Sequence, residues 1–329
     1  MSMSDLTPRT LHGTDLEIGP LVLGTMTFGT QIDEAESTRI VHRARELGVT
    51  MFDTANSYSQ GRSEEILGRA ARPFRDDVQI VTKVGSTRSV EDPSASRLDR
   101  ASILGGCDES LARLGCDYID LYYLHMPDPR TDIAESLAAL QELVDAGKVR
   151  NIGMSNYAAW QMADAIHLAD RNRWPRARVA QPLYNLLARR IEEEYVACTE
   201  RFGVSNLAYN PLAGGLLTGK HRRGTRPAEG TRFTWLSNYM ERYWNTAQFD
   251  AVDKLESIAH STGLSLIELS LRWLLGRPGI AGIILGVSSL DHLETNIAAA
   301  HGPALDSGTV EAIDDVWRLL RGPAPAYNR

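Results

Sequence analysis

The sequence predicts a (β/α)8 barrel, the TIM-barrel form of the α/β class, with an N-terminal β-hairpin and an extra C-terminal helix. Short β-rich runs alternate with amphipathic segments along the chain, and glycines follow several of those segments. A length of 329 residues also suits one such barrel with added loops. We therefore expect residues 1–329 to form a single barrel domain.

Eight short apolar runs are typical of buried parallel strands. They cover residues 21–24, 49–53, 78–83, 118–125, 149–153, 179–182, 205–209 and 282–285. A connection between parallel neighbours must cross over the sheet, and a helix usually makes that crossing. Eight such strand-and-helix units close most economically as a barrel.

Amphipathic stretches with apolar residues three and four positions apart lie between these runs. They cover residues 33–47, 63–71, 101–114, 133–146, 158–169 and 192–202, and glycines that suit left-handed helix ends follow at 48, 115, 147 and 203. We interpret residues 10–20 as a hairpin that closes the barrel bottom and residues 309–321 as a helix outside the repeat. A doubly wound open sheet is the alternative, but Gly24 and Gly29 have the wrong spacing for its G-x-G-x-x-G turn.

The composition limits the classes of function. Hydrophobic residues make up 43% of the chain, and no apolar run approaches the roughly 18 residues that span a bilayer. The polar N-terminus lacks the apolar core of a secretory signal, and the three cysteines, an odd number, favour reduced thiols, so we expect a cytoplasmic protein. A net charge of −7 argues against a nucleic-acid surface, although a local basic pocket for a phosphate is compatible with it.

Four residues at or just beyond predicted strand ends could share one site. Asp53, Lys83 and His125 end the second, third and fourth strands, and Tyr58 lies in the loop after the second. Taken singly, they could be a helix cap, an exposed charge, a hydrogen-bonded rim residue and a loop aromatic. Taken together, a lysine ammonium lowers the pKa of a nearby phenol while a carboxylate holds the lysine. The set predicts a tyrosine that can donate a proton near neutral pH.

Several further motifs lie along nearly the whole chain. They are DTANSY at 53–58, SEEILG at 63–68, Thr82-Lys83, DLYYLH at 120–125, GMSNY at 153–157 and YNPL at 209–212. In this order they resemble the motifs of the aldo-keto reductase family. The resemblance implies that Tyr58 is the general acid, that Lys83 and Asp53 tune it, and that His125 orients the carbonyl. It also implies hydride transfer from NADPH to a small carbonyl substrate.

The same resemblance implies a set of cofactor-binding residues. Ser155, Asn156 and Gln181 would hold the nicotinamide carboxamide, and Tyr209 would stack on its ring; a helix cap, a strand-end amide and core packing are the structural alternatives. The remaining cofactor residues implied are Gly24, Thr25, Met26, Asp53, Asn210, Pro211, Leu212, Gly214, Gly219, Lys220, Gly286, Ser288, Ser289, His292 and Asn296.

The glycine-rich segment at 214–220 has two interpretations, because Gly214-x4-Gly219-Lys220 fits most of a P-loop. His221 stands where a P-loop needs Ser or Thr for Mg²⁺, so we interpret the segment as the family's pyrophosphate loop. Residues 286–296 resemble the site for adenosine and the 2′-phosphate. Many relatives have Arg or Lys at Ser289 and Gln at His292, which weakens the NADPH prediction slightly, but NADH is still less expected.

Within the family, the sequence is most similar to the aflatoxin-aldehyde and succinic semialdehyde reductase branch. That similarity implies a substrate site formed by Met26, Tyr58, His125, Arg232 and Arg329, in which the arginines would bind acidic aldehydes; both could instead be surface residues. It breaks after Lys83 and in the terminal tail, so the particular aldehyde stays open. Dimers are common in this branch, and a homodimer is a possible assembly.

Two other classes of function compete with a reductase. A non-catalytic NADPH-binding regulatory subunit is the alternative, because some barrels of this superfamily regulate channels. A metal-dependent barrel hydrolase would need clustered ligands, yet the eight histidines form no H-x-H or H-E-x-x-H motif. We expect no metal, no nucleic acid and no membrane as partners.

Overall fold

Eight parallel strands close into a barrel in the computed structural model, which describes residues 8–86 and 97–324. A two-stranded antiparallel hairpin, β1 (Arg9–Thr10) and β2 (Glu17–Ile18), precedes them. The barrel strands are β3 (Leu21–Gly24), β4 (Met51–Asp53), β5 (Gln79–Val84), β6 (Ile119–Leu124), β7 (Val149–Ser155), β8 (Val179–Gln181), β9 (Ser205–Tyr209) and β10 (Ile280–Gly286). They pair in chain order, and β10 pairs with β3 to close the ring. The predicted (β/α)8 barrel with its hairpin is confirmed.

Helices follow the strands and surround the barrel. They are α1 (Glu34–Glu46), α2 (Arg62–Ala71), α3 (Arg100–Leu114), α4 (Ile133–Asp145), α5 (Ala159–Asn172), α6 (Tyr195–Phe202), α7 (Arg232–Trp235), α8 (Ser237–Tyr243), α9 (Thr246–Ser261), α10 (Leu266–Leu275), α11 (Leu290–Ala300) and α12 (Ser307–Arg321). Several begin at an acidic or hydroxyl side chain that accepts a backbone N–H, as Asp33, Asp132 and Ser265 do. Helices α7 to α10 were not assigned from the sequence. Helix α10 packs beside β10, whereas α9 lies against the terminal helix α12.

The barrel interior is a separate apolar core. Alternate residues of each strand point inward, and Val22, Met51, Val81 and Leu121 pack together there. The hairpin adds three buried side chains to this same core, which are Leu11, Leu16 and Ile18. The hairpin therefore closes one end of the barrel, as predicted, and leaves the other end for a site. No helix in the described ranges is long and apolar enough to cross a membrane.

Candidate active site

The alternation of side chains along the strands brings the predicted site residues to one rim. In β5, Val81 faces the barrel interior, so Lys83, two residues later, faces it too. In β4, Met51 and Asp53 are related in the same way. The strand register then sets neighbours side by side. Gly24 pairs with Asp53 and also with Gly286, which places three predicted residues at the carboxyl end of the barrel.

Lys83 lies beneath this rim with its side chain 0% exposed. Its Nζ donates to Asp53 Oδ1 at 2.5 Å and to the Thr54 carbonyl at 2.7 Å. The third contact is with Tyr58 Oη at 3.5 Å, and the Nζ also lies 5.0 Å from the centroid of that ring. An ammonium has three donors, so these contacts use all of them.

The electrostatics of this lysine are dominated by its burial and its carboxylate. Burial alone would lower the pKa of Lys83, but the charge of Asp53, together with Tyr58, raises it above the ordinary value. The lysine is therefore an ammonium at neutral pH. The second carboxylate oxygen of Asp53 accepts from Gln181 Nε2 at 2.8 Å, so the carboxylate is held from two strands.

Tyr58 is placed by a tight turn after β4. It begins a 3₁₀ turn, Tyr58–Gly61, and its N–H donates to the Ala55 carbonyl at 3.0 Å. Ser59, next in the chain, has φ of 50° and donates its hydroxyl to the Phe28 carbonyl at 2.6 Å, which ties the turn to the loop after β3. The Tyr58 ring lies edge-on to His125, with centroids 5.8 Å apart. Phenol, ammonium and imidazole thus share one corner.

Asn156 links the strand ends on the opposite side of the rim. Its backbone is left-handed, with φ of 64°, a conformation that asparagine tolerates well. Its Nδ2 donates to the His125 carbonyl at 2.9 Å, and its Oδ1 accepts from Tyr209 Oη at 2.7 Å. Ser155 beside it donates to the Gln181 carbonyl at 3.0 Å. These bonds orient the amides and the Tyr209 ring along one wall.

A cavity of about 890 Å³ opens above these residues. Most of the predicted site residues line it: Gly24, Met26, Asp53, Tyr58, His125, Ser155, Asn156, Gln181, Tyr209, Asn210, Pro211, Leu212, Gly214, Lys220, Arg232, Gly286, Ser288, His292 and Asn296. We call this cavity the cleft. It runs from the barrel rim to the first turns of α11.

Three predicted cofactor residues do not line the cleft. Thr25 is fully buried, because its hydroxyl contacts Ser63 Oγ at 2.8 Å and turns away from the cavity. Gly219 ends the glycine-rich turn with φ of 75°, and a Cβ there would meet Glu256. Ser289 caps α11 by accepting from the His292 N–H at 3.2 Å. Arg329 lies outside the described residues.

The segment before α9 supplies cleft residues that the sequence analysis missed. Arg242 and Tyr239 line the cavity from α8, with the guanidinium 5.5 Å from the tyrosine centroid. Gln31, from the loop after β3, donates to the Gly230 carbonyl at 2.9 Å, so two lining residues from distant segments join. Arg232 reaches toward Met26, with Nη1 3.8 Å from its sulfur. The only sequence signal was a run of aromatic and basic residues.

The fold and this site define an oxidoreductase of the aldo-keto reductase type. A family model described as "Aldo/keto reductase family" matches residues 20–318, and the chain belongs to that family. The predicted resemblance is confirmed, and the family generally uses NADP(H).

The chain is also similar to individual named proteins. The chain is similar to "Aflatoxin B1 aldehyde reductase member 2" of Rattus norvegicus, with 36% identity over 98% of this chain and 90% of that protein. It is 36% identical to "Aldo-keto reductase family 7 member A3" of Homo sapiens, over 94% of this chain and 96% of that protein. It is also 33% identical to a "Probable voltage-gated potassium channel subunit beta" of Oryza sativa subsp. japonica, over 94% of this chain and 95% of that protein. The aldehyde reductases among them support aldehyde reduction.

Proposed function

We propose that the chain reduces small aldehydes to alcohols with NADPH and that Tyr58 donates the proton. The observation that carries the proposal is the buried ammonium of Lys83, which donates to the Tyr58 phenol at 3.5 Å and is held by Asp53 at 2.5 Å. An ammonium at this distance stabilises the negative charge that grows on the phenol oxygen as the proton leaves. His125, at the same corner, orients the carbonyl oxygen toward Tyr58.

The cleft suits a dinucleotide phosphate. Among the described residues, three cationic side chains line it, which are Lys220, Arg232 and Arg242. The acidic residues there are Glu229 and the lysine-paired Asp53. This balance favours a ligand that carries several negative charges. Ser155, Asn156 and Gln181 would hold the nicotinamide carboxamide, and the nicotinamide ring would stack on Tyr209. Lys220 would bind the phosphates. When bound, the dihydronicotinamide supplies the hydride.

Acidic aldehydes are the proposed preferred substrates. Arg232 and, outside the described residues, Arg329 are the proposed carboxylate partners, and Arg242 joins them as a cationic side chain of the same cleft. A charge-assisted hydrogen bond contributes about 1.5–3 kcal/mol. We expect Arg329→Ala to raise KM for succinic semialdehyde by about tenfold or more and to change KM for an uncharged aldehyde little. Equal effects on both substrates would remove this part of the proposal.

A Tyr58→Phe variant tests the proposed reaction directly. Initial rates of NADPH and NADH oxidation with acidic, aromatic and ketonic carbonyls should show activity in the unmodified chain and a loss of at least about 100-fold in the variant. Tyr118→Phe is the matched control, because Tyr118 precedes the first residue of β6 at the opposite end of the barrel. Full activity in Tyr58→Phe would refute the assignment. Dinucleotide binding without turnover in the unmodified chain would favour a non-catalytic regulatory subunit instead.

A further inference from the structure

Three buried hydroxyls form a cluster that does not line the cleft. They belong to Thr25, which follows β3, to Thr54, which follows β4, and to Ser63 in the first turn of α2, and all three residues are 0% exposed. Ser63 Oγ lies 2.8 Å from Thr25 Oγ1 and 3.0 Å from Thr54 Oγ1. It donates to the Thr25 carbonyl at 2.8 Å, so its oxygen can accept from a threonine hydroxyl. We call these three side chains the hydroxyl cluster.

The hydroxyl cluster fixes the peptide group between Asp53 and Thr54. The Asp53 carbonyl accepts from the Thr25 N–H at 2.9 Å and from the Thr25 hydroxyl at 3.1 Å. At the other end of the same peptide group, the Thr54 N–H donates to the Val81 carbonyl at 2.8 Å. A peptide group is planar, so bonds at both of its ends leave it little freedom to rotate. The next carbonyl, that of Thr54, accepts from the Lys83 ammonium at 2.7 Å.

The hydroxyl cluster also joins the two ends of the loop that carries Tyr58. Thr54 lies before Tyr58 and Ser63 after it, and these two hydroxyl residues are in contact although they are 9 positions apart. Within the loop, Ser59 and Gln60 have φ of 50° and 56°, a left-handed conformation that residues other than glycine rarely adopt. Such a backbone persists only where surrounding contacts hold it. The contact between Thr54 and Ser63 is one of them.

Stability alone does not account for this cluster. A buried hydrogen bond between neutral groups adds little net stability, and apolar side chains of the same shape could pack as well. A buried polar network in which each hydroxyl is satisfied does restrict the geometry of the groups that it contacts. Those groups here are the backbone that binds the Lys83 ammonium and the loop that presents the Tyr58 phenol.

We propose that Thr25, Thr54 and Ser63 are positioning residues that set the distance between the Lys83 ammonium and the Tyr58 phenol. This inference rests on the proposed function, because it takes Tyr58 as the proton donor. The distance from Lys83 Nζ to Tyr58 Oη is 3.5 Å, and the attraction between an ammonium and a phenol oxygen weakens as they separate. A misplacement of about 1 Å can slow an enzymatic step by about 100-fold.

Single-turnover kinetics on the full chain test this positioning. Thr25→Val keeps the shape of the side chain and removes its hydroxyl, whereas Thr25→Ser keeps the hydroxyl. NADPH is bound beforehand, and the aldehyde with the highest kcat/KM for the unmodified chain is added by stopped flow. The rate of NADPH oxidation should fall about tenfold in Thr25→Val and in Ser63→Ala, and it should stay within about twofold of the unmodified rate in Thr25→Ser.

Two controls separate positioning from general damage. The dissociation constant for NADPH should change by less than about twofold in all three variants, because the hydroxyl cluster does not line the cleft. Ser270→Ala removes another fully buried hydroxyl, which donates to the Leu266 carbonyl at 2.6 Å within α10, and it should react like the unmodified chain. Unmodified rates in Thr25→Val and Ser63→Ala, or a Thr25→Ser variant as slow as Thr25→Val, would overturn the inference and leave the proposed function intact.

Urea unfolding without dinucleotide gives a second readout that needs no turnover. Lys83→Met has no ammonium for the Thr54 carbonyl to hold, so Ser63→Ala should lower the urea midpoint less in that background than in the unmodified chain. Absence of turnover in the unmodified chain would overturn the proposed function without touching this comparison. Equal lowering of the midpoint in the two backgrounds would then overturn the inference as well.

Discussion

The buried ion pair of the site makes a sharp prediction about stability. In Asp53→Asn, the Lys83 ammonium would keep its contacts to the Thr54 carbonyl and to Tyr58 but would lose the Asp53 carboxylate, with its side chain 0% exposed. Removing one partner of a buried pair costs about 3–5 kcal/mol, because the remaining charge stays out of water. We expect a loss of that size in the free energy of unfolding.

The reverse change tests the same coupling. Lys83→Met keeps the length of the side chain and leaves the Asp53 carboxylate with Gln181 alone, so we expect a similar loss. The double variant carries no unpaired charge and should be little worse than either single variant. The two changes should therefore be non-additive by at least about 2 kcal/mol.

Urea unfolding at pH 7.5 measures the free energy of unfolding of the unmodified chain, the two single variants and the double variant. The raised pKa of Lys83 keeps its ammonium protonated there, and the lysine's contribution to stability is lost only as the pH rises from the ordinary lysine pKa of about 10.4 through the raised value. Lys148 and Asp108 are the matched control, since their Nζ–Oδ1 distance is also 2.5 Å but the side chains are 40% and 56% exposed. The same cycle there should give about 0–1 kcal/mol. Additivity in the buried cycle would refute the reasoning.

Other predictions concern packing, acidity and the cleft rim. Gly68→Ala would place a Cβ 2.1 Å from a backbone carbonyl oxygen at the end of α3 and should destabilise by about 1–3 kcal/mol, whereas Gly105→Ala meets nothing within 4 Å and should stabilise slightly in the same urea assay. His221 is 6% exposed between aromatic rings, and burial lowers its pKa from 6.5 to about 4, so the unfolded chain gains a proton first as the pH falls. Stability should drop by about 2 kcal/mol between pH 7.5 and 5 through this group, and His221→Phe should remove that part of the slope; an unchanged slope would contradict the assignment. Gln31→Ala removes the bond to Gly230 and should speed NADPH release in stopped-flow measurements by about 2- to 12-fold, and an unchanged rate would show that this bond does not hold the cleft closed.

The barrel was predictable because its strands carry a strong, repeated pattern. Each strand is a short apolar run between turn residues, and the two-residue period fixes which side chains face the interior. Once Val81 is known to point inward, the position of Lys83 follows. The corner formed by Asp53, Lys83 and Tyr58 could therefore be expected from the strand ends alone.

The walls of the cleft were harder to predict because they depend on contacts between distant segments. Helices α7 and α8 are 4 and 7 residues long, too short to show a clear helical period. Nothing local indicates that Arg242 lines the cavity, or that Gln31 bonds to Gly230 across 199 positions. Thr25 does not line the cleft, because its hydroxyl bonds inward to the Asp53 carbonyl at 3.1 Å.

The apolar side chains that the hairpin places in the barrel fill the end opposite the cleft. Leu11, Leu16 and Ile18 are each no more than 2% exposed and pack in the interior core on the side of the barrel away from the cleft. In the proposed reaction, the reactants would then enter and the product would leave through the cleft. A proton that restores the Tyr58 phenol would also arrive through the cleft after the alcohol leaves. Reprotonation of the acid would therefore depend on the cleft being open.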